Sequence, residues 1–186
     1  MARISLDPPR TLTVRLAAWY SRRRFGEVLD PVGAMGHHSR LLRDGARFEQ
    51  RLAGWDELDQ GLKTLAVLAV AARIGCSWCV DFGHWEAAEQ GLPMEKIQYV
   101  PRWREHTGEF DELELLVLRF ADAMTETVPT VTDELAAELV ARLGEPAFME
   151  LVMMAAVENQ RSRVNAALGL VGQGFSDRCE VPPRAV

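Results

Sequence analysis

Apolar residues recur every three or four positions along most of this chain, which is the repeat of amphipathic helices. No segment sustains the alternation of a strand, and no Asn-Gly or Asp-Gly pair joins two strand-like segments. We therefore predict an all-α fold of about seven or eight helices. The predicted helices cover residues 11–26, 38–53, 56–74, 77–90, 93–99, 109–126, 132–143 and 146–169.

The segment 56–74 differs from the other predicted helices because it is apolar nearly all round. A helix without a polar face is normally buried, so this pattern predicts the central helix of the core. Gly75 fits its C-terminal stop. Segments 30–37 and 100–108 contain glycine and proline and are predicted to be loops.

Length and charge narrow the class of protein. We predict a single domain over residues 1–186, since this length can bury a substantial core. The net charge of -6 argues against a nucleic-acid partner. The first residues lack the apolar core of a signal peptide, and the longest apolar run, 65–72, is far shorter than a membrane span. We therefore expect a cytoplasmic protein with no membrane partner.

Two of the three cysteines, Cys76 and Cys79, lie close together at the predicted start of the helix 77–90, whereas Cys179 lies alone in the tail. Thiols three residues apart at a helix start can form a disulfide with little backbone movement. The free amides and the positive dipole end there favour a thiolate. In a reducing cytosol such a pair is more often catalytic or metal-binding than structural. We predict a reversible Cys76–Cys79 disulfide.

An aromatic stripe runs along the same predicted helix. Because residues three and four apart are neighbours on a helix, its members share one side of the helix, and they are Trp78, Phe82 and Trp85. We interpret the stripe as core packing that also excludes water from the thiols.

Gly83 lies one turn beyond Cys79. The missing side chain either leaves space beside the sulfur or allows close helix packing, and the sequence alone does not separate the two. His84 is a candidate catalytic residue, but it lies roughly 100° further round the helix. We therefore expect His84 to be an exposed or capped histidine rather than a catalytic one.

A zinc site is the main chemical alternative for the cysteine pair. Cys76, Cys79 and His84 supply three ligands, whereas structural zinc takes four, often from two paired knuckles. A second C-x-x-C and an H-x-x-x-H motif are both absent. The chain also lacks a phosphate-cradling glycine motif and a G-x-S-x-G elbow. We therefore expect neither a metal nor a cofactor.

The stretch 62–84, LKTLAVLAVAARIGCSWCVDFGH, resembles the carboxymuconolactone decarboxylase and AhpD-like alkylhydroperoxidase superfamily. The resemblance rests on a long Ala- and Leu-rich helix, a glycine, and then C-x-W-C-V-D opening the next helix. It continues more weakly over 112–169, where 150–169 resembles the closing helix with its Asn near an Ala-Leu-Gly end. The AhpD-like core then spans about 40–170, between an N-terminal helical extension, 1–40, and a weakly ordered tail, 172–186.

This resemblance implies a helical bundle that assembles as a homo-oligomer (a dimer, trimer or hexamer). It also implies that Cys79 attacks a hydroperoxide, that Cys76 resolves the product, and that a thiol reductant of unknown identity restores both. Peroxidase members have a proton relay made of a glutamate twelve residues before the first cysteine and a histidine four after the second. Thr64 and Gly83 occupy these positions, so both relay residues are absent, and His84 is displaced by one position.

Three hypotheses remain open. The leading one is a thiol redox enzyme of the AhpD-like peroxidase type, which acts on a hydroperoxide or a disulfide. The family's decarboxylase members act without a redox cysteine pair, so the retained C-x-x-C argues against that activity. The second is a non-enzymatic helical oligomer with a redox-sensing or structural disulfide, and the third is a zinc-stabilised bundle.

Overall fold

The computed structural model describes residues 2–181 and 183, and this part of the chain contains helices and no strand. The all-α prediction is confirmed. The α-helices are α1 (Leu12–Phe25), α2 (Asp30–Met35), α3 (Ser39–Leu52), α4 (Gln60–Ile74), α5 (Ser77–Glu89), α6 (Met94–Ile97), α7 (Glu112–Thr125), α8 (Asp133–Leu143) and α9 (Glu145–Leu168). Short 3-10 turns cover Val100–Glu105, Thr107–Glu109 and Ser176–Arg178.

The predicted boundaries are wrong in three places. The supposed loop 30–37 contains α2, because a proline in the first helical turn needs no hydrogen-bond partner and does not block the helix. Helix α4 begins at Gln60 rather than at 56, since the side chain of Asp59 caps it by accepting from the Leu62 amide at 3.1 Å. The connection 100–108 consists largely of 3-10 turns.

The described chain forms two compact units, one of residues 2–55 with 167–171 and the other of 56–166 with the tail from 172. The single-domain expectation concerns folding behaviour and stays a prediction. In the first unit, α1 packs against α2 and α3. The outer side of α1 exposes a group of large apolar residues, namely Leu12, Leu16, Trp19 and Tyr20.

Helix α4 is the central helix of the second unit, as its apolar pattern predicts. Its middle turns are buried, and it packs mainly against α7 and α5. One buried ion pair fixes its N-terminal turn, because Lys63 Nζ lies 2.5 Å from Glu150 Oε1 of α9. The other Glu150 oxygen accepts the amides of Glu57 and Leu58 at 2.8 and 3.1 Å. This carboxylate therefore holds the start of α4 against α9.

The tail also differs from the prediction, because its first part has defined contacts. The buried carboxylate of Asp81 on α5 accepts hydrogen bonds from the amides of Gln173, Phe175 and Ser176 and from the Ser176 hydroxyl, at 2.7–3.1 Å. The phenyl ring of Phe175 is fully buried. Residues 182 and 184–186, to which the tail prediction also applies, lie outside the described residues.

No helix in the described part of the chain combines the length and the apolar character needed to cross a bilayer.

Candidate active site

The two cysteines lie where α4 ends and α5 begins. Gly75 has φ +79°, the left-handed conformation that glycine adopts without strain, and its amide closes the last turn of α4. Cys76 is the N-cap of α5, and its Sγ accepts the Cys79 amide at 3.2 Å. The turn therefore places both sulfur atoms at the N-terminal end of α5, as the sequence pattern predicts.

Cys76 and Cys79 are joined in a disulfide, with Cα atoms 5.3 Å apart. The predicted pairing is confirmed, while its reversibility stays a prediction. Both residues are buried, Cys76 with 2% and Cys79 with 7% of its surface exposed. Cys179 is a free thiol. Burial raises the pKa of that thiol, and the charges of Asp81 and Glu89 raise it further.

Two side chains of α9 contact the sulfur of Cys79. Ser162 Oγ lies 3.3 Å from Cys79 Sγ, and Asn165 Nδ2 lies 3.4 Å from the same atom. Both are buried hydrogen-bond donors. Such donors favour the negatively charged form of a cysteine once the disulfide is reduced.

A buried carboxylate lies behind the serine. Ser162 Oγ is 2.7 Å from Glu158 Oε1, and the Arg161 guanidinium is 3.4 Å from Glu158 Oε2. Glu158 is 3% exposed and Ser162 is fully buried. A short chain of polar contacts therefore runs from Arg161 to the sulfur of Cys79, in which the single Ser162 proton points either to Glu158 or to the sulfur at any one time.

Sequence reasoning missed Glu158 and Ser162, and it noted Asn165 only as part of a resemblance. The available signal was their spacing of four and three residues, which places all three on one face of α9. That face is otherwise apolar, since Ala155 and Leu151 are fully buried one and two turns before Glu158. Polar residues in line with a buried apolar stripe indicate a polar partner inside the core.

His84 is buried rather than exposed, and it binds the tail. Its Nε2 donates to the Val181 carbonyl at 2.7 Å, and Nδ1 has no partner among the described residues. Burial lowers the pKa of His84, although the bond to Val181 and the charge of Asp81 oppose this shift. In the described chain His84 forms no hydrogen bond with either sulfur, so a catalytic role for it stays a prediction without geometric support.

The two positions of the family's relay hold no acid or base, as the sequence shows. A Cβ atom added to Gly83 would lie 2.9 Å from Leu68 Cδ2, so the absent side chain allows close packing of α5 on α4. Of the two explanations for Gly83, space beside the sulfur and close helix packing, the structure supports close packing. Thr64 is buried on α4, where its Oγ1 is 3.5 Å from Gln60 Nε2.

The aromatic stripe packs in the core, as predicted. Trp78 and Phe82 stack with ring centroids 5.0 Å apart, and Phe175 of the tail contacts both Phe82 and Trp85 at 5.3 Å. Trp78 Nε1 donates to Gln173 Oε1 at 2.8 Å. The tail therefore covers the side of α5 that carries the aromatic stripe.

The zinc hypothesis gains no support from the described residues. They contain no group of three or more His, Cys, Asp and Glu side chains arranged to hold a metal ion.

Comparison with known proteins identifies the class to which this site and fold belong. The model of the carboxymuconolactone decarboxylase family matches residues 41–123. The chain is 31% identical over 178 residues to the protein YnjA of Escherichia coli (strain K12), with 93% of each chain covered. The chain therefore belongs to the carboxymuconolactone decarboxylase and AhpD-like superfamily.

Solved structures share the fold at lower sequence identity. A variant of the debrominase Bmp8 in complex with 2,3,4-tribromopyrrole superimposes with a TM-score of 0.79 at 16% identity, covering 94% of this chain and 95% of the other. A peroxidase-related protein from Silicibacter sp. TM1040 gives 0.78 at 13% identity, covering 91% and 89%. At these identities the similarity establishes a common fold.

Proposed function

We propose that this protein is a thiol–disulfide oxidoreductase that reduces a small hydroperoxide or disulfide. The observation that carries the proposal is the Cys76–Cys79 bond at the start of α5, with two buried donors directed at Cys79 Sγ. The presence of both Ser162 and Asn165 at one sulfur supports Cys79 as the attacking cysteine and Cys76 as the resolving one.

The reaction with a hydroperoxide proceeds in three balanced steps. The Cys79 thiolate attacks one oxygen, so that an S–O bond forms, the O–O bond breaks, and an alkoxide leaves that needs a proton. The Cys76 thiol then attacks the sulfenic sulfur, so that the disulfide forms and water leaves. Two equivalents of an external thiol return both cysteines to the reduced state by thiol–disulfide exchange. A reducing cytoplasmic location would supply that reductant.

The test is turnover of tert-butyl hydroperoxide by the reduced protein in the presence of dithiothreitol. Cys79→Ser should abolish turnover, because a hydroxyl cannot follow the oxidation steps open to sulfur. Cys179→Ser is the matched control and should retain turnover. After one turnover, mass spectrometry should show a two-hydrogen loss in a peptide containing Cys76 and Cys79. A wild-type protein without turnover, or a disulfide to Cys179, would contradict the proposal.

The burial of both sulfur atoms favours a second candidate, a redox-sensing or structural disulfide without enzymatic turnover. A Cys76–Cys79 bond that opens and closes with the redox potential, in a protein that consumes no peroxide or disulfide substrate, would establish this alternative.

The exposed face of α1 supports the proposal of a homo-oligomer. Leu12, Leu16 and Trp19 are 71%, 57% and 62% exposed and lie four and three residues apart, hence on one side of the helix. Large apolar side chains exposed side by side in this way are costly in water, and a second copy of the chain would cover them. Sedimentation at micromolar concentration should show a species heavier than the 20.8 kDa chain. Trp19→Glu should shift it toward the monomer, and wild type sedimenting only as a monomer would refute the proposal.

A further inference from the structure

Cys79 must lose a proton before it attacks and must regain one when the disulfide is reduced. Thr64 and Gly83 supply no acid or base for this exchange, since neither carries a titratable group. A buried carboxylate nevertheless reaches the same sulfur from a different helix. The contacts run from Glu158 Oε1 to Ser162 Oγ, 2.7 Å, and from Ser162 Oγ to Cys79 Sγ, 3.3 Å.

We propose that Ser162 and Glu158 form the proton relay of Cys79, in which the serine hydroxyl passes protons between the sulfur and the carboxylate. This inference rests on the proposed thiol–disulfide function of the site. Ser162 touches the reacting sulfur and is therefore the catalytic member. Glu158 acts through Ser162 and is the positioning member.

The hydrogen-bonding capacity of a serine hydroxyl suits this role, because it donates one proton and accepts at two lone pairs. An ionised Glu158 can only accept, so the Ser162 proton then points to the carboxylate and the Ser162 oxygen is open to a thiol proton. A disulfide sulfur or thiolate can only accept, so the Ser162 proton then points to sulfur and its oxygen accepts from a protonated Glu158. Both proton arrangements satisfy the same heavy-atom geometry.

The transfer balances in each direction. Cys79 gives its thiol proton to Ser162 Oγ, and the serine proton passes to the Glu158 carboxylate, which leaves a thiolate and a neutral acid. After the thiolate attacks the hydroperoxide, the departing alkoxide takes the Ser162 proton, and Glu158 returns its proton to the serine. The net reaction converts thiol and hydroperoxide into sulfenic acid and alcohol, with Ser162 and Glu158 unchanged.

Asn165 provides the matched control on the same helix. Its amide contacts the same sulfur at 3.4 Å but carries no exchangeable charge. Asn165→Ala therefore removes a hydrogen bond to the thiolate and leaves the serine and carboxylate in place.

The first experiment follows a single oxidation of the reduced protein by tert-butyl hydroperoxide, detected by the fluorescence of nearby Trp78. Glu158→Gln and Ser162→Ala should each slow this step by roughly 10²-fold, the lower range for one positioned acid or base. The double variant should be no slower than the slower single variant, because both changes interrupt one pathway. Rates that multiply, or single variants as fast as wild type, would overturn the relay.

The second experiment measures the same coupling without a peroxide. In a Cys76→Ser background, the rate of Cys79 alkylation by iodoacetamide is followed from pH 5 to pH 10. With Glu158 present the profile should show two coupled ionisations, and Glu158→Gln should leave one. Asn165→Ala should keep both and move the profile to higher pH. An unchanged profile in Glu158→Gln would refute the relay.

These outcomes separate the relay from the function on which it rests. A wild-type protein that fails to consume peroxide refutes the proposed function, whereas the alkylation profile still decides whether Glu158 is coupled to Cys79. Glu158→Gln preserves side-chain volume, and Ser162→Ala removes one atom. Circular dichroism establishes which variants fold, and either variant alone is sufficient for the test.

Discussion

The contact between Asp81 and the tail allows a quantitative prediction. One oxygen of Asp81 accepts the Ser176 amide and hydroxyl at 2.8 and 2.7 Å, and the other accepts the amides of Gln173 and Phe175 at 2.8 and 3.1 Å. Asp81→Asn keeps the shape of the side chain but replaces one acceptor oxygen by an NH₂ group. With the NH₂ group turned toward Ser176, the Ser176 hydroxyl can accept from it, but the Ser176 amide then faces another donor and every remaining bond loses the carboxylate charge.

The expected cost follows from the strength of these bonds. Hydrogen bonds to a charged group contribute about 1.5–3 kcal/mol each and neutral ones about 0.5–1.5 kcal/mol, so losing one bond and neutralising the other three costs at least about 3 kcal/mol. Since about 1.4 kcal/mol corresponds to a factor of ten, the opening equilibrium of the tail should rise roughly 10²-fold.

Native-state hydrogen exchange measures this opening directly, because it reports local as well as global unfolding. The amides of Phe175 and Ser176 should exchange roughly 10²-fold faster in Asp81→Asn than in wild type. The control is Asp177→Asn, which removes the same charge from an exposed tail residue and should change little. An increase below about threefold, or equal effects of the two variants, would refute the reasoning.

Two further predictions concern α5. Gly83→Ala should destabilise the fold in equilibrium denaturation, because its Cβ would lie 2.9 Å from Cδ2 of the buried Leu68. The overpacking cost of about 1–3 kcal/mol exceeds the gain of roughly 0.5–1 kcal/mol from replacing a glycine inside a helix. In Gly108→Ala the new Cβ meets no atom within 4 Å and should not destabilise the fold, and equal effects of the two variants would show that Leu68 shifts freely. Burial lowers the pKa of His84 in the folded protein, although the bond to Val181 and the charge of Asp81 oppose this shift. The unfolded chain therefore binds a proton at His84 more readily than the folded chain does. The resulting contribution to stability is present above about pH 6.5 and declines as the pH falls toward the folded pKa. Denaturation at pH 7.5 and 5.5 should show this decline, and His84→Gln should reduce it; an unchanged pH dependence would contradict the assignment.

Most of the helices could be predicted from the sequence because they have a strong local signal. Residues 56–74 are apolar nearly all round, and Thr132 precedes acidic residues at the start of α8. Helix α2 was missed because its six residues are too few to show a period, and its glycines and proline are typical of a loop. The fixed part of the tail was missed because its partner, Asp81, lies more than 90 residues away in sequence.

Within the site, the sequence by itself predicted the pairing of Cys76 with Cys79 and showed the absence of the family's usual relay. Two thiols three residues apart at a helix start are a local arrangement, and the residues at positions 64 and 83 are read directly. Only the tertiary structure decided that Gly83 packs against Leu68, and that His84 binds the tail rather than a sulfur.

The same holds for Glu158, Ser162 and Asn165, whose spacing predicts a shared helix face but not what that face contacts. They reach Cys79 because the tertiary fold brings α9 to the start of α5, across some 80 residues of chain. Such packing depends on the burial of many side chains at once, so it is a property of the whole core rather than of any local pattern.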